Sequence, residues 1–102
     1  MIENVRDYLT ADKLSFVTDL DLRPMFGGLC LFKDKRYFGA IVDGRLYLRT
    51  TPATAKRYQQ DAALRSPHGY TFTSTFAVPA EVLADVAQLR DYVEEAIRET
   101  QP

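Results

Sequence analysis

Cys30 and His68 are the chain's one thiol and one imidazole, and they limit the side-chain chemistry open to it. A nucleophilic cysteine needs a neighbouring base, so the two would have to meet in space to act as a pair. An inert thiol in a strand and a histidine in a turn is the simpler expectation. Structural zinc takes about four nitrogen or sulfur ligands, a count this sequence does not reach. Gly27-Gly28 suggests a phosphate cradle only superficially. It lacks the G-x-G-x-x-G spacing and the Lys-Ser/Thr of a P-loop, and a bend or bulge at the entry to a sheet accounts for it. Glu94, Glu95 and Glu99 lie along the solvated side of a helical pattern. No catalytic site, no metal site and no cofactor are expected.

Phe38, Arg45, Tyr47 and Arg49 are more informative, because they flank Asp43-Gly44. Asp-Gly between two strand-like runs predicts a type I′ hairpin, whose two central residues both need positive φ. That turn pairs Val42 with Arg45, Ile41 with Leu46, Ala40 with Tyr47, Gly39 with Leu48 and Phe38 with Arg49. Paired residues share a face. Tyr37, Ile41, Leu46 and Leu48 then form the natural core side. Phe38, Ala40, Val42 and Tyr47 form the other, flanked by Arg45 and Arg49. If Phe32 opposes Tyr37 and the parity holds, Leu29 and Leu31 join this second side. The sheet would then be apolar on both faces, whereas antiparallel sheets usually keep one polar. One of the domain's own helices could cover the second face. Otherwise a partner covers it, most simply a second copy of the chain.

The elements that must hold this hairpin can be read outward from it. Ile2, Val5, Tyr8 and Leu9 predict one face of a short amphipathic helix over Glu3–Ala11. Asp12–Asp21 reads as a connection, and the chain becomes extended from Leu22. Leu29–Phe32 and Tyr37–Val42 are the next strands, then Arg45–Arg49. Thr51-Pro52 predicts a helix start, with helix formers following to about Ala63. Ser66-Pro67-His68-Gly69 breaks the chain. Tyr70–Val78 alternates as a strand, and after Pro79 one helix is expected with Val82, Val86, Leu89, Val93 and Ala96/Ile97 inward. Helix, four antiparallel strands, helix, strand, helix predicts an α+β fold: two layers, with an antiparallel sheet of about five strands and helices packed against it.

A chain of 102 residues fits a single domain spanning 1–102. Net charge is −1, but residues 22–65 hold nine Lys/Arg against three Asp, while both flanking stretches are acidic. The basic middle could meet an anionic partner, or the acidic ends could neutralise it within the fold. A pI of 5.7 is low for a nucleic-acid binder. A lone cysteine suits a reducing compartment. Glu3, Arg6 and Asp7 interrupt any signal-peptide core, and no apolar run approaches the ~18 residues of a membrane span. A soluble cytoplasmic protein with no membrane association is expected.

Arg23-Pro24-Met25-Phe26-Gly27-Gly28 resembles the Arg-x-Met-Phe-Gly-Gly signature of the TfoX N-terminal domain family, carried by Arg23, Met25, Phe26, Gly27 and Gly28. The resemblance continues through Leu31–Asp34 and Phe38–Arg49, and resumes at Val78–Leu83. It implies a two-layer α+β domain of the secretion-chaperone-like type. Two-domain members are bacterial regulators of natural competence, thought to act with the cyclic-AMP receptor protein at promoters. This chain ends at Pro102, without their C-terminal domain, and Lys35 replaces a Gly common after the first turn's Asp. The resemblance therefore implies a non-catalytic regulator or adaptor that binds another protein, with a transcription factor as one candidate. The alternative is a nucleic-acid-binding module, with Phe38 and Tyr47 as stacking platforms beside Arg45 and Arg49.

Overall fold

A computed structural model describes residues 5–25, 28–58, 63–65 and 71–99. Among them, six strands form one antiparallel sheet in the order β1-β2-β3-β4-β6-β5. They are β1 (Leu20–Met25), β2 (Gly28–Lys33), β3 (Arg36–Val42), β4 (Arg45–Arg49), β5 (Ala63–Arg65) and β6 (Thr71–Ala77). The helices are α1 (Val5–Ala11), α2 (Ala80–Leu83) and α3 (Val86–Glu99), with a 3-10 turn over Asp12–Leu14 after α1. This is the expected α+β architecture, with one short strand more than the sequence reading gave.

Asp43 and Gly44 have φ of 54° and 77°, the type I′ geometry. The pairs Val42–Arg45 through Gly39–Leu48 follow as predicted. The β2–β3 turn is of the same kind, with Asp34 and Lys35 at φ of 52° and 67°. Lys35 thus adopts the left-handed conformation that a glycine would enter without steric cost.

Two such turns in succession would place Leu29 and Leu31 opposite the core, because a one-residue slip reverses every side chain. The strands avoid this with a bulge. Phe32 opposes Tyr37, but Leu31 opposes Gly39 and Leu29 opposes Ile41, leaving Phe38 as the extra residue. Leu29 and Leu31 therefore share the core face with Ile41, Leu46 and Leu48, contrary to the even-parity expectation. The same bulge exchanges Phe38 and Tyr37. Phe38 is 1% exposed within the core, while Tyr37 turns to the other face.

All three helices lie on the core side. Ala11, Leu14, Val82, Leu89, Val93 and Ala96 join the sheet residues in one apolar cluster. Three helical expectations are corrected here. Of the apolar stripe assigned to α1, Tyr8 and Leu9 turn outward, 47% and 61% exposed, while Ile2 and the Val5 side chain lie outside the described residues. Asp7 and Thr10 are buried instead. Among the described residues, the helix expected over Thr51–Ala63 is a 3-10 turn at Thr54–Arg57, after which Tyr58 is extended and Ala63 pairs with Phe76 in the sheet; residues 59–62 lie outside the described residues. Strand pairing there overrides helix propensity.

The final helix is broken at Ala84-Asp85. Asp85 Oδ1 accepts from the amides of Ala87 and Gln88 at 3.0 and 3.3 Å, while the Gln88 side chain donates to Asp85 Oδ2 at 3.1 Å. Asp85 thus caps a new helix rather than continuing an old one, and Val86 is left 73% exposed.

Candidate functional site

The face of the sheet away from the helices is built from alternate residues of five strands. Asp21 and Arg23 come from β1, Cys30 and Phe32 from β2, and Tyr37, Ala40 and Val42 from β3. Arg45, Tyr47 and Arg49 follow on β4, then Thr75 and Ala77 on β6. Ala40 opposes Tyr47 on one side and Ala77 opposes it on the other. Both alanines are buried, at 0% and 4% exposure, so the half-buried Tyr47 is the side chain of this cross-strand trio that reaches solvent.

Cationic side chains border the aromatic ones. The Arg45 guanidinium carbon lies 5.7 Å from the Tyr47 ring centroid, and that of Arg23 lies 4.9 Å from Phe32. Such placements are favoured by the negative face of the ring. Phe32 and Tyr37 meet with centroids 5.9 Å apart. Arg23 also pairs with Asp21 at 3.0 Å. Arg45 and Arg49 are exposed, and neither forms an ion pair among the described residues.

Tyr37 sits under several influences. Burial pushes its hydroxyl above the usual tyrosine range, while a hydrogen bond with Thr75 and the charge of Arg49 act in the opposite direction. Cys30, two strands away from Thr75's nearest neighbour β4, is buried at 2% exposure, and burial raises its thiol pKa. A raised pKa disfavours the nucleophilic thiolate.

The helix side carries a different cluster. Arg57 bonds Asp91 at 3.3 Å and Glu95 at 3.0 Å, and its guanidinium carbon stands 3.7 Å over the Tyr92 ring. Tyr58 stacks on Phe76 and meets Tyr92 edge-on, with centroids 5.8 and 5.6 Å apart. One guanidinium bridges two carboxylates of α3, so this cluster reads as a clamp between the 3-10 turn Thr54–Arg57 and α3.

Of the residues singled out from the sequence, Arg45, Tyr47 and Arg49 are brought together on the open face, and Phe38 is not. Arg23, from the signature, joins them. Gly28 begins β2 opposite Met25, where an added Cβ would collide with the Ile41 carbonyl oxygen. Close strand approach, rather than a bulge at this position, is what requires glycine. Phe26, Gly27 and His68 lie outside the described residues, as does the Met25 side chain. The sequence reading missed Phe32 and Tyr37 as members of the face. The available signal was the apolar pair Leu29 and Leu31, which had to share a side with Ile41 and Leu46.

No helix among the described residues is long and apolar enough to cross a membrane. Residues 12–100 match the family model described as the TfoX N-terminal domain. No curated protein matches the chain. The family match spans nearly all of the sheet-and-helix unit described above, and the chain belongs to the TfoX N-terminal domain family.

Proposed function

We propose that this chain is a non-catalytic protein-interaction domain, a TfoX-like regulator or adaptor in transcriptional control of competence-type genes. Its partner is another protein, either a transcription factor or a second copy of the chain, met in the cytoplasm. The observation that carries this reading is the exposed row on β4, where Arg45 and Arg49 flank Tyr47 on the face away from the helices. Apolar and aromatic surface rimmed by arginine is how protein interfaces are commonly composed. Tyr and Arg are also the residue types that dominate their energetics.

The test is a tagged pull-down from native lysate with and without nuclease, repeated with Tyr47→Glu. A stoichiometric protein partner that survives nuclease and is lost in the variant supports the reading. Recovery that collapses with nuclease favours a nucleic-acid-binding module, for which the pairing of exposed arginines with ring faces is the favourable feature. Salt separates the two, since phosphate-dominated binding weakens steeply with ionic strength.

A further inference from the structure

Unlike Arg23, Arg57 and Arg98, the two β4 arginines have no carboxylate within ion-pair distance among the described residues. Arg23 is held by Asp21, Arg57 by Asp91 and Glu95, and Arg98 lies 3.9 Å from Glu99. Arg45 and Arg49 have no such contact among the described residues, yet they point from the same face of one strand. At about 3.3 Å per residue, their backbone positions lie about 13 Å apart. Midway between them stands Tyr47, with the buried Ala40 and Ala77 paired on either side. The row is thus cation, aromatic, cation.

An extended chain laid along β4 presents side chains with the same repeat. Residues i, i+2 and i+4 of a strand-like segment point one way and span the same length. We propose that this row receives an extended acidic segment of a partner protein. Carboxylates at i and i+4 meet Arg49 and Arg45, and an apolar side chain at i+2 rests beside Tyr47. This rests on the interface reading above and names the chemistry of its partner.

Charge balance favours a peptide over a nucleic acid. The chain is net negative, with acidic stretches on both sides of the basic middle. A polyanion gains little long-range attraction from a chain whose net charge is −1. A segment with two carboxylates meets only the local field, because charges beyond about 8–10 Å are screened at physiological salt.

The test uses the full chain and a fluorescein-labelled probe, Thr-Glu-Thr-Leu-Thr-Glu-Thr, beside its Gln-for-Glu counterpart and an oligothymidine strand. Binding is followed by anisotropy and the contact surface by amide chemical-shift mapping. The Glu probe is expected to shift the amides of Ala40, Tyr47 and Ala77. It should bind about tenfold more tightly than the Gln probe, the change expected when charge-assisted bonds replace neutral ones. Arg45→Gln and Arg49→Gln should each weaken it several-fold, while Lys13→Gln on the exposed 3-10 turn should not. Thermal unfolding of each variant verifies that the fold is intact.

Equal binding of the Glu and Gln probes, with shifts still at Tyr47, overturns the acidic segment and leaves the interface reading in place. No shift at this face with any peptide also overturns it. If the Tyr47→Glu pull-down is unchanged as well, the interface reading falls with it. Tighter binding of oligothymidine at the same amides overturns it in favour of a nucleic-acid partner.

Discussion

Asp7 Oδ1 accepts a 2.6 Å hydrogen bond from the amide of Gly44, at the tip of the β3–β4 hairpin. Thr10, one turn further along α1, donates to the Gly44 carbonyl at 2.8 Å. Both backbone groups of the turn glycine are thus satisfied by one helix, and this explains why α1 turns its polar side inward. Replacing Asp7 by Ala leaves a partly buried amide without its acceptor. The expected loss is about 2 kcal/mol, read as a lower urea midpoint with an unchanged slope. Leu9→Ala, at an exposed position on the same helix, should cost far less.

Gly39 faces a second strand at close range. A Cβ there would sit 2.5 Å from the Tyr47 carbonyl oxygen and 3.2 Å from Leu48 Cδ2. The neighbouring atom is backbone, so relief requires the β3–β4 pairing itself to move. Gly39→Ala is expected to destabilise by about 1–3 kcal/mol. Hydrogen exchange should show the loss first in the amides of Ala40–Leu48.

Asp85 starts α3 through its two amide bonds and its contact with Gln88. Asp85→Ala should cost about 1 kcal/mol, and Asp85→Ser should restore most of it. Calorimetric melting of both variants distinguishes loss of the cap from loss of charge.

Alkaline pH should weaken the fold. Burial pushes the Tyr58 hydroxyl well above the usual tyrosine range, with Arg57 opposing the shift and Glu95 and Tyr92 adding to it. Burial raises Tyr37 and Cys30 as well. In the unfolded chain a tyrosine ionises near pH 10 and a thiol near 8.5, while in the folded chain these groups keep their protons. The unfolded state therefore binds fewer protons in that range, and stability falls as pH rises. Urea midpoints should be flat up to about pH 8 and decline through about pH 10. Tyr58→Phe should make that decline shallower.

Local signals were legible in the sequence and distant ones were not. Asp43-Gly44 carries its turn within two residues, and the register it sets was readable four pairs deep. Asp85 and Gln88 also form a local signal, a cap followed three residues later by its partner. The unbroken apolar spacing from Val82 to Ile97 masked it. The inward face of α1 depends on Gly44, far away in sequence, and helical periodicity cannot register a turn amide as a burial partner. The bulge at Phe38 reconciles two turns with one core, so neither turn alone reveals it. At Ala63–Arg65 the decisive partner is β6, which lies later in the chain than the helix formers that suggested otherwise. Of the candidate face, β4 was legible because its hairpin was; the β2 and β3 contributions followed the bulge and were lost with it.

The sheet order has a consequence for synthesis. β1 to β4 lie side by side in the order in which they are made, so the meander can assemble from local contacts alone. Its cover comes later, because α2 and α3 follow β6. At roughly 5–20 residues per second, the ribosome needs a few seconds to deliver them. During that interval Leu29, Leu31, Ile41, Leu46 and Leu48 form an apolar surface covered only by Ala11 and Leu14 of α1 and its 3-10 turn. Pro24, in the edge strand β1, offers no amide to an incoming strand and so protects the nascent sheet at one border. The opposite border, β4, is guarded only by the arrival of β6, and it is there that a stalled nascent chain would be open to mispairing or to capture by a chaperone.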